Sequence, residues 1–102
     1  MIFVVSWTSR PGSSAADNEA AADRVLEVFS KWTAPPDQTF HQFLGRLDGR
    51  GGFAVVETDN PDSLGDAPAK FGPYLDFEIT PVNDITTTIG LLGQAAEFRK
   101  SI

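Results

Sequence analysis

The chain contains one histidine, His41, and no cysteine. His41 is therefore the only side chain whose ordinary pKa lies near neutrality, and as a general base it would suit a small acidic substrate. Glu57 stands where an apolar run gives way to Thr58-Asp59-Asn60-Pro61, which places its carboxylate at a strand end beside a helix start. There it would meet a ligand or accept backbone donors. Each residue also has a plainer role: His41 as a half-exposed strand residue, Glu57 as the partner of an arginine. Trp7 and Tyr74 are aromatics with polar tips, a type that suits mostly apolar pockets, although a strand tryptophan more often packs in a core. His41 and Glu57 are thus the candidate catalytic residues, and Trp7 and Tyr74 the candidate ligand-binding residues.

Other chemistries lack the residues they need. Without cysteine there is no disulfide, thiolate metal site or Cys nucleophile. Asp59, Asp62 and Asp66 have neither calcium-loop spacing nor a nearby histidine, so no metal site is expected. Gly49, Gly51 and Gly52 precede no helix, and a hairpin explains them better than a phosphate loop. The serines have no recognisable histidine partner. Eight basic against 14 acidic residues give a net charge of −6 over 102 residues, and without a basic cluster nucleic acid is not an expected partner. No apolar run approaches ~18 residues, so no membrane span is expected. The stretch Met1 to Trp7 lacks a charged leader region, which makes the cytoplasm the expected location. Nothing implies a cofactor.

The elements that must position these residues follow from patterning. Ile2 to Thr8 is β-branched and aromatic without a breaker, with Phe3, Val5 and Trp7 on one face and Ile2 and Val4 on the other. Ser14 followed by Asp17 resembles a capping box. Ala22, Val25, Leu26, Phe29 and Trp32 then recur at helical steps, predicting a helix over 14–33 whose buried stripe includes Phe29. Strands are predicted over 39–47 and 52–58, joined antiparallel through Asp48-Gly49. In the first of these, alternation would let His41 share a face with Phe43. Asn60-Pro61 opens a second helix near 61–71, which Gly65 and Pro68 should leave short, broken or partly 3₁₀. The conflict suggests a mobile lid over 64–74. Leu75 to Val82 alternates cleanly as a last strand. Ile85, Ile89, Leu92 and Ala96 keep helical spacing, predicting a C-terminal helix over about 88–99, with Thr86-Thr87-Thr88 and two glycines opposing it.

The order strand, helix, strand, strand, helix, strand is that of an α+β, ferredoxin-like βαββαβ unit: an antiparallel sheet with both helices on one face, here with an extra C-terminal helix. The second sheet face would then expose an apolar patch, and the economical cover is a second copy packed sheet to sheet, giving a homodimer.

Three blocks resemble a known family: Met1-Ile2-Phe3-Val4-Val5-Ser6-Trp7, Gly52-Phe53-Ala54-Val55-Val56-Glu57-Thr58-Asp59-Asn60-Pro61 and Leu75-Asp76-Phe77-Glu78-Ile79-Thr80-Pro81-Val82. The family comprises short bacterial proteins catalogued only as a domain of unknown function, the 3303 family, placed with the dimeric α+β barrel superfamily. The resemblance covers about residues 1–83, setting 84–102 apart as a tail. It departs in the second helix, where the family usually has a continuous run with a tryptophan near the position of Phe71. It implies a fold and dimerisation but no activity. The wider superfamily includes cofactor-independent monooxygenases, small isomerases and heme-degrading enzymes, which hold a ligand between sheet and helices; that is analogy at the level of fold. Two classes of function follow: a small-organic-ligand protein, cofactor-independent enzymes included, or a non-catalytic dimerisation or protein-interaction module.

Overall fold

Strand β1 (Ile2–Ser9) is one of the two inner strands of the sheet. In the computed structural model, which describes residues 1–102, it pairs antiparallel with β3 (Gly51–Glu57) on one side and β4 (Leu75–Val82) on the other. Strand β2 (Thr39–Gly45) adds to the far side of β3, giving the order β2-β3-β1-β4. With α1 (Ala15–Lys31) and α2 (Asp66–Phe71) in the two crossovers, this is the βαββαβ ferredoxin-like arrangement. The Asp48-Gly49 step turns the β2–β3 hairpin, with Gly49 at φ 72°, a left-handed conformation that glycine adopts without steric cost.

Register assigns every side chain to a face, because opposed residues project to the same side. Phe3, Val5 and Trp7 lie opposite Val56, Ala54 and Gly52 on β3, and opposite Pro81, Ile79 and Phe77 on β4. This is the face that the helices cover. Phe3, Val5, Ala54 and Val56 are buried there together with Leu64, and Val56 is 1% exposed. Gly52 is required by this packing: a Cβ at that position would run into the Trp7 ring and the Leu44 carbonyl.

Strand β2 breaks the alternation. Phe40 opposes Val56 and Phe43 opposes Ala54, and the register shifts by a bulge between Phe40 and Gln42. The extra residue is His41. The bulge lets two aromatics three residues apart share the helix-covered face, and it rotates His41 away from them. The alternation that paired His41 with Phe43 is therefore corrected.

Ser14 caps α1 by accepting the Asp17 amide at 3.1 Å. No residue of α1 is buried, and Phe29, expected in the core, is 49% exposed. The helix meets the sheet through long aromatic side chains rather than close backbone approach, so its apolar stripe borders a cleft instead of closing it. The second crossover is a 3₁₀ turn, Pro61–Gly65, followed by the six-residue α2. Pro68 falls in the first turn of α2, where a missing N–H leaves no helical bond unmade. Buried Leu64 and Phe71 anchor the segment against the core at both ends. Asn60 precedes the turn, but its side chain donates to Asp37 Oδ2 at 3.0 Å instead of capping it.

Helix α3 (Ile85–Lys100) begins three residues earlier than its sequence pattern suggests. Asp84 is the reason, accepting both the Thr86 amide at 2.9 Å and the Thr86 hydroxyl at 2.6 Å, so the threonine run sits within a capped first turn. The helix forms no packing interface with any other element. It draws the molecule out to 60 × 32 × 22 Å with a radius of gyration of 17.9 Å, where a compact chain of this length has about 13 Å. It is too short to cross a membrane, as is every helix here.

Two substitutions test the packing. Gly52→Ala should lower stability by roughly 1–3 kcal/mol through the clash with Trp7 and Leu44. Gly65 has φ −74° and open space around a Cβ, so Gly65→Ala should raise stability by about 0.5–1 kcal/mol. Urea titration of both variants reads the two signs.

Candidate functional site

Six aromatic rings join the helices to the sheet. Phe29 descends from α1 and Trp32 from the residue just past its end, Phe40 and Phe43 rise from β2, and Trp7 and Phe71 complete the group from β1 and α2. Their centroids lie 5.3–6.3 Å apart in mostly edge-to-face pairs, the geometry that aromatic quadrupoles favour. Trp32 touches both Phe40 and Phe71, and its indole N–H donates to Asp66 Oδ2 at 2.9 Å. Asp66 also holds Lys70 at 2.8 Å. The Lys70 ammonium first, and then the indole donor, keep the Asp66 carboxyl below the usual aspartate range.

Because these rings hold α1 off the sheet, a cleft of about 460 Å³ opens between them. Fourteen of its sixteen lining residues are hydrophobic and none carries a titratable side chain. Buried Val5, Ala54, Val56, Leu64 and Phe71 form the floor, while Phe29 and Phe43 (46% exposed) stand at the mouth. Polar character comes from the Gln38 amide and the Trp7 and Trp32 indoles. The Gln38 amide nitrogen donates to Ser63, at 3.0 Å to the carbonyl and 3.2 Å to the hydroxyl, which leaves its oxygen without a protein donor. Volume and lining are those of a small-molecule site, apolar with few convergent polar groups.

The four sequence candidates do not come together. Trp7 lines the cleft over Gly52. Tyr74 does not, and instead lies beside the Arg24 guanidinium on α1, where it and Glu27 raise the arginine's pKa. His41 and Glu57 do meet, Nε2 to Oε1 at 2.7 Å, but both are exposed and lie on the opposite face of the sheet. Glu57 thus finds the histidine and not an arginine. Asp76 is held by Arg10 at 3.0 Å, and Arg46 is held by Asp48. Sequence reasoning missed Gln38 and Trp32 as site residues. The signal was partial: Trp32 closes the apolar stripe of α1, and Pro35-Pro36 leads the chain extended toward Gln38 and β2. No three or more His, Asp or Glu side chains converge as metal ligands would.

The open sheet face is mixed. Ile2, Val4, Val55, Phe53 and Leu44 form an apolar band, with His41, Glu57, Asp76 and Glu78 around it.

A four-stranded antiparallel sheet in this order, with two helices across one face and an apolar cleft beneath them, defines a small α+β protein of ferredoxin-like fold. The chain belongs to the family described as Domain of unknown function (DUF3303), which matches residues 1–96. The match runs through most of α3, beyond the 83 residues that the resemblance of the three blocks covers. No curated protein matches the chain.

The Asp66 tie predicts an acid limb. Its carboxyl titrates lower when folded than unfolded, so its contribution is fully present above about pH 4 and is lost as pH falls through the lowered value. Asp66→Asn should therefore flatten the fall in stability on acidification below pH 4. Asp48, lowered by the Arg50 amide and then Arg46, and Asp84, lowered by Thr86, contribute to the same acid limb and remain in the variant. Thermal melts from pH 2 to 7 compare the two curves.

Proposed function

We propose that the cleft binds a small, largely aromatic organic molecule, and that the protein works as a homodimer of the dimeric α+β barrel kind. The cleft itself carries the reading: about 460 Å³, almost wholly apolar, with the Gln38 amide oxygen and the Trp7 indole as its polar features. A flat ring system bearing a hydroxyl or N–H donor suits it, the donor meeting the Gln38 oxygen and the ring stacking among the aromatics.

Binding is favoured over acid–base catalysis in this cleft, because no lining side chain can exchange a proton near neutral pH. The His41–Glu57 pair, the sequence's choice for such chemistry, is separated from the cleft by the thickness of the sheet. A monooxygenase- or isomerase-like reaction would therefore have to draw its reactivity from the bound molecule. The dimer is supported by the apolar band on the open face, which water covers poorly and a second copy covers with the same surface.

Both tryptophans of the chain line the cleft, so intrinsic fluorescence reports on its occupancy. Titration with anilinonaphthalene sulfonate should give saturable quenching of the tryptophans with energy transfer to the dye. Gly45 lines the cleft with open space about its Cβ position; Gly45→Leu should weaken dye binding about tenfold without loss of folding. His41→Ala should leave the affinity unchanged. A dye that binds Gly45→Leu as tightly as the unsubstituted protein overturns the reading. Light scattering at micromolar concentration should give twice the 11.0 kDa chain mass; the chain mass alone rejects the dimer.

A further inference from the structure

Helix α3 has no partner in its own chain, yet it cannot be a water-facing helix. Ile85, Ile89 and Leu92 form one stripe and Leu91 and Phe98 another, all 56–66% exposed, and no charged residue occurs from Ile85 to Ala96. A helix apolar around most of its girth belongs in an interior. Its own cleft is not where it goes. It leaves β4 at Val82, at the end of the sheet where Ile2 and Val82 pair, seven residues along β4 from Leu75 in the cleft wall, and it continues outward.

We infer that α3 of one copy lies across the cleft mouth of the other and roofs it, so that each binding site is completed by two chains. The inference rests on the dimer proposed above and adds where α3 sits within it. Three observations select this occupant and this surface. The first is charge: the cleft lining has no charged side chain, like the first twelve residues of α3, whereas the open sheet face would place Glu57, Asp76 and Glu78 under an uncharged helix that offers them no cation. Glu57 and Asp76 keep His41 and Arg10 as partners, but Glu78 has none, and burying an unpaired carboxylate is costly. The second is shape: two apolar stripes fit a groove with two walls, here α1 and the sheet, better than a flat sheet. The third is area. The open face of four strands covers roughly 450 Å² per copy, or roughly 900 Å² in all, at the low end of what a specific interface buries. Two reciprocal helices, each about 24 Å long, bring the total into the range of stable dimers. The exposed rim residues Phe29 and Phe43 would meet the Ile85, Ile89 and Leu92 stripe, and the buried floor would remain for the ligand.

The absence of cysteine makes the test direct. Leu26 lies on α1 next to the cleft residue Val25 and is itself exposed outside the lining. A Leu26→Cys preparation mixed with a Leu92→Cys preparation and treated with a bismaleimide should give a covalent dimer. Leu92→Cys mixed with Val55→Cys, on the open sheet face, should give at least fivefold less. In parallel, Leu92→Asp should weaken dye binding about fivefold or more at protein concentrations where the unsubstituted chain is dimeric. Preferential linkage to Val55→Cys overturns the roof, as does a dimer in which neither pair links, although the cleft reading then stands if the dye still binds. A monomer by light scattering overturns the roof together with the dimer. Linkage through Leu26→Cys in a protein that binds no dye supports the roof and rejects the ligand reading alone.

Discussion

Trp32 ties together three elements that otherwise touch lightly. Its ring packs edge-on against Phe40 of β2 and Phe71 of α2, and its N–H is held by Asp66 at the start of α2. The other rings extend this anchor toward Trp7 and Phe29. Aromatic side chains reach far, so the helix they hold stands away from the strands. Aliphatic residues at the same positions would bring α1 down onto the sheet and close the space. The cleft is thus a consequence of which side chains bridge the layers, and its aromatic lining and its volume have the same cause.

Polar groups complete the anchor economically. The indole donor is satisfied by a carboxylate that Lys70 also holds, so a charge beside the core is kept ionised and paired. Gln38 is fixed by its nitrogen to Ser63 and keeps an acceptor in reserve. No buried side-chain donor or acceptor is left without a partner, which is the condition under which a small core can carry polar atoms. The residues that anchor α2 therefore also define the polar end of the cleft.

Much of the fold is legible in the residues. Clean alternation places β4 at 75–82, Asp48-Gly49 marks the hairpin, and Ser14 marks the start of α1. These signals are local, carried by one or two residues whose conformational demands are met within a turn. The site is less legible because it depends on distances between layers. Phe29 sits in a helical stripe that patterning equates with a core, yet ring size leaves it half exposed. The α3 boundary was obscured because threonine is a poor helix interior residue, while a capped first turn tolerates it. Tyr74 shares its composition with pocket residues but follows α2 outward toward Arg24.

The placement of His41 turns on a single residue. Without the bulge, strict alternation would keep one of Phe40 and Phe43 on the helix-covered face and send the other to the open side. Inserting His41 between paired positions lets both rings face α1, and the imidazole then projects with Glu57 on the far side. The bulge therefore trades a proton-transfer group in the cleft for a second aromatic wall. An enzyme that needed a base against its ligand would gain from the opposite arrangement. The irregularity of β2 thus adds apolar surface to the cleft wall, which is the feature that the proposed binding role draws on. In that arrangement the His41–Glu57 pair faces away from the cleft, on the open face of the sheet.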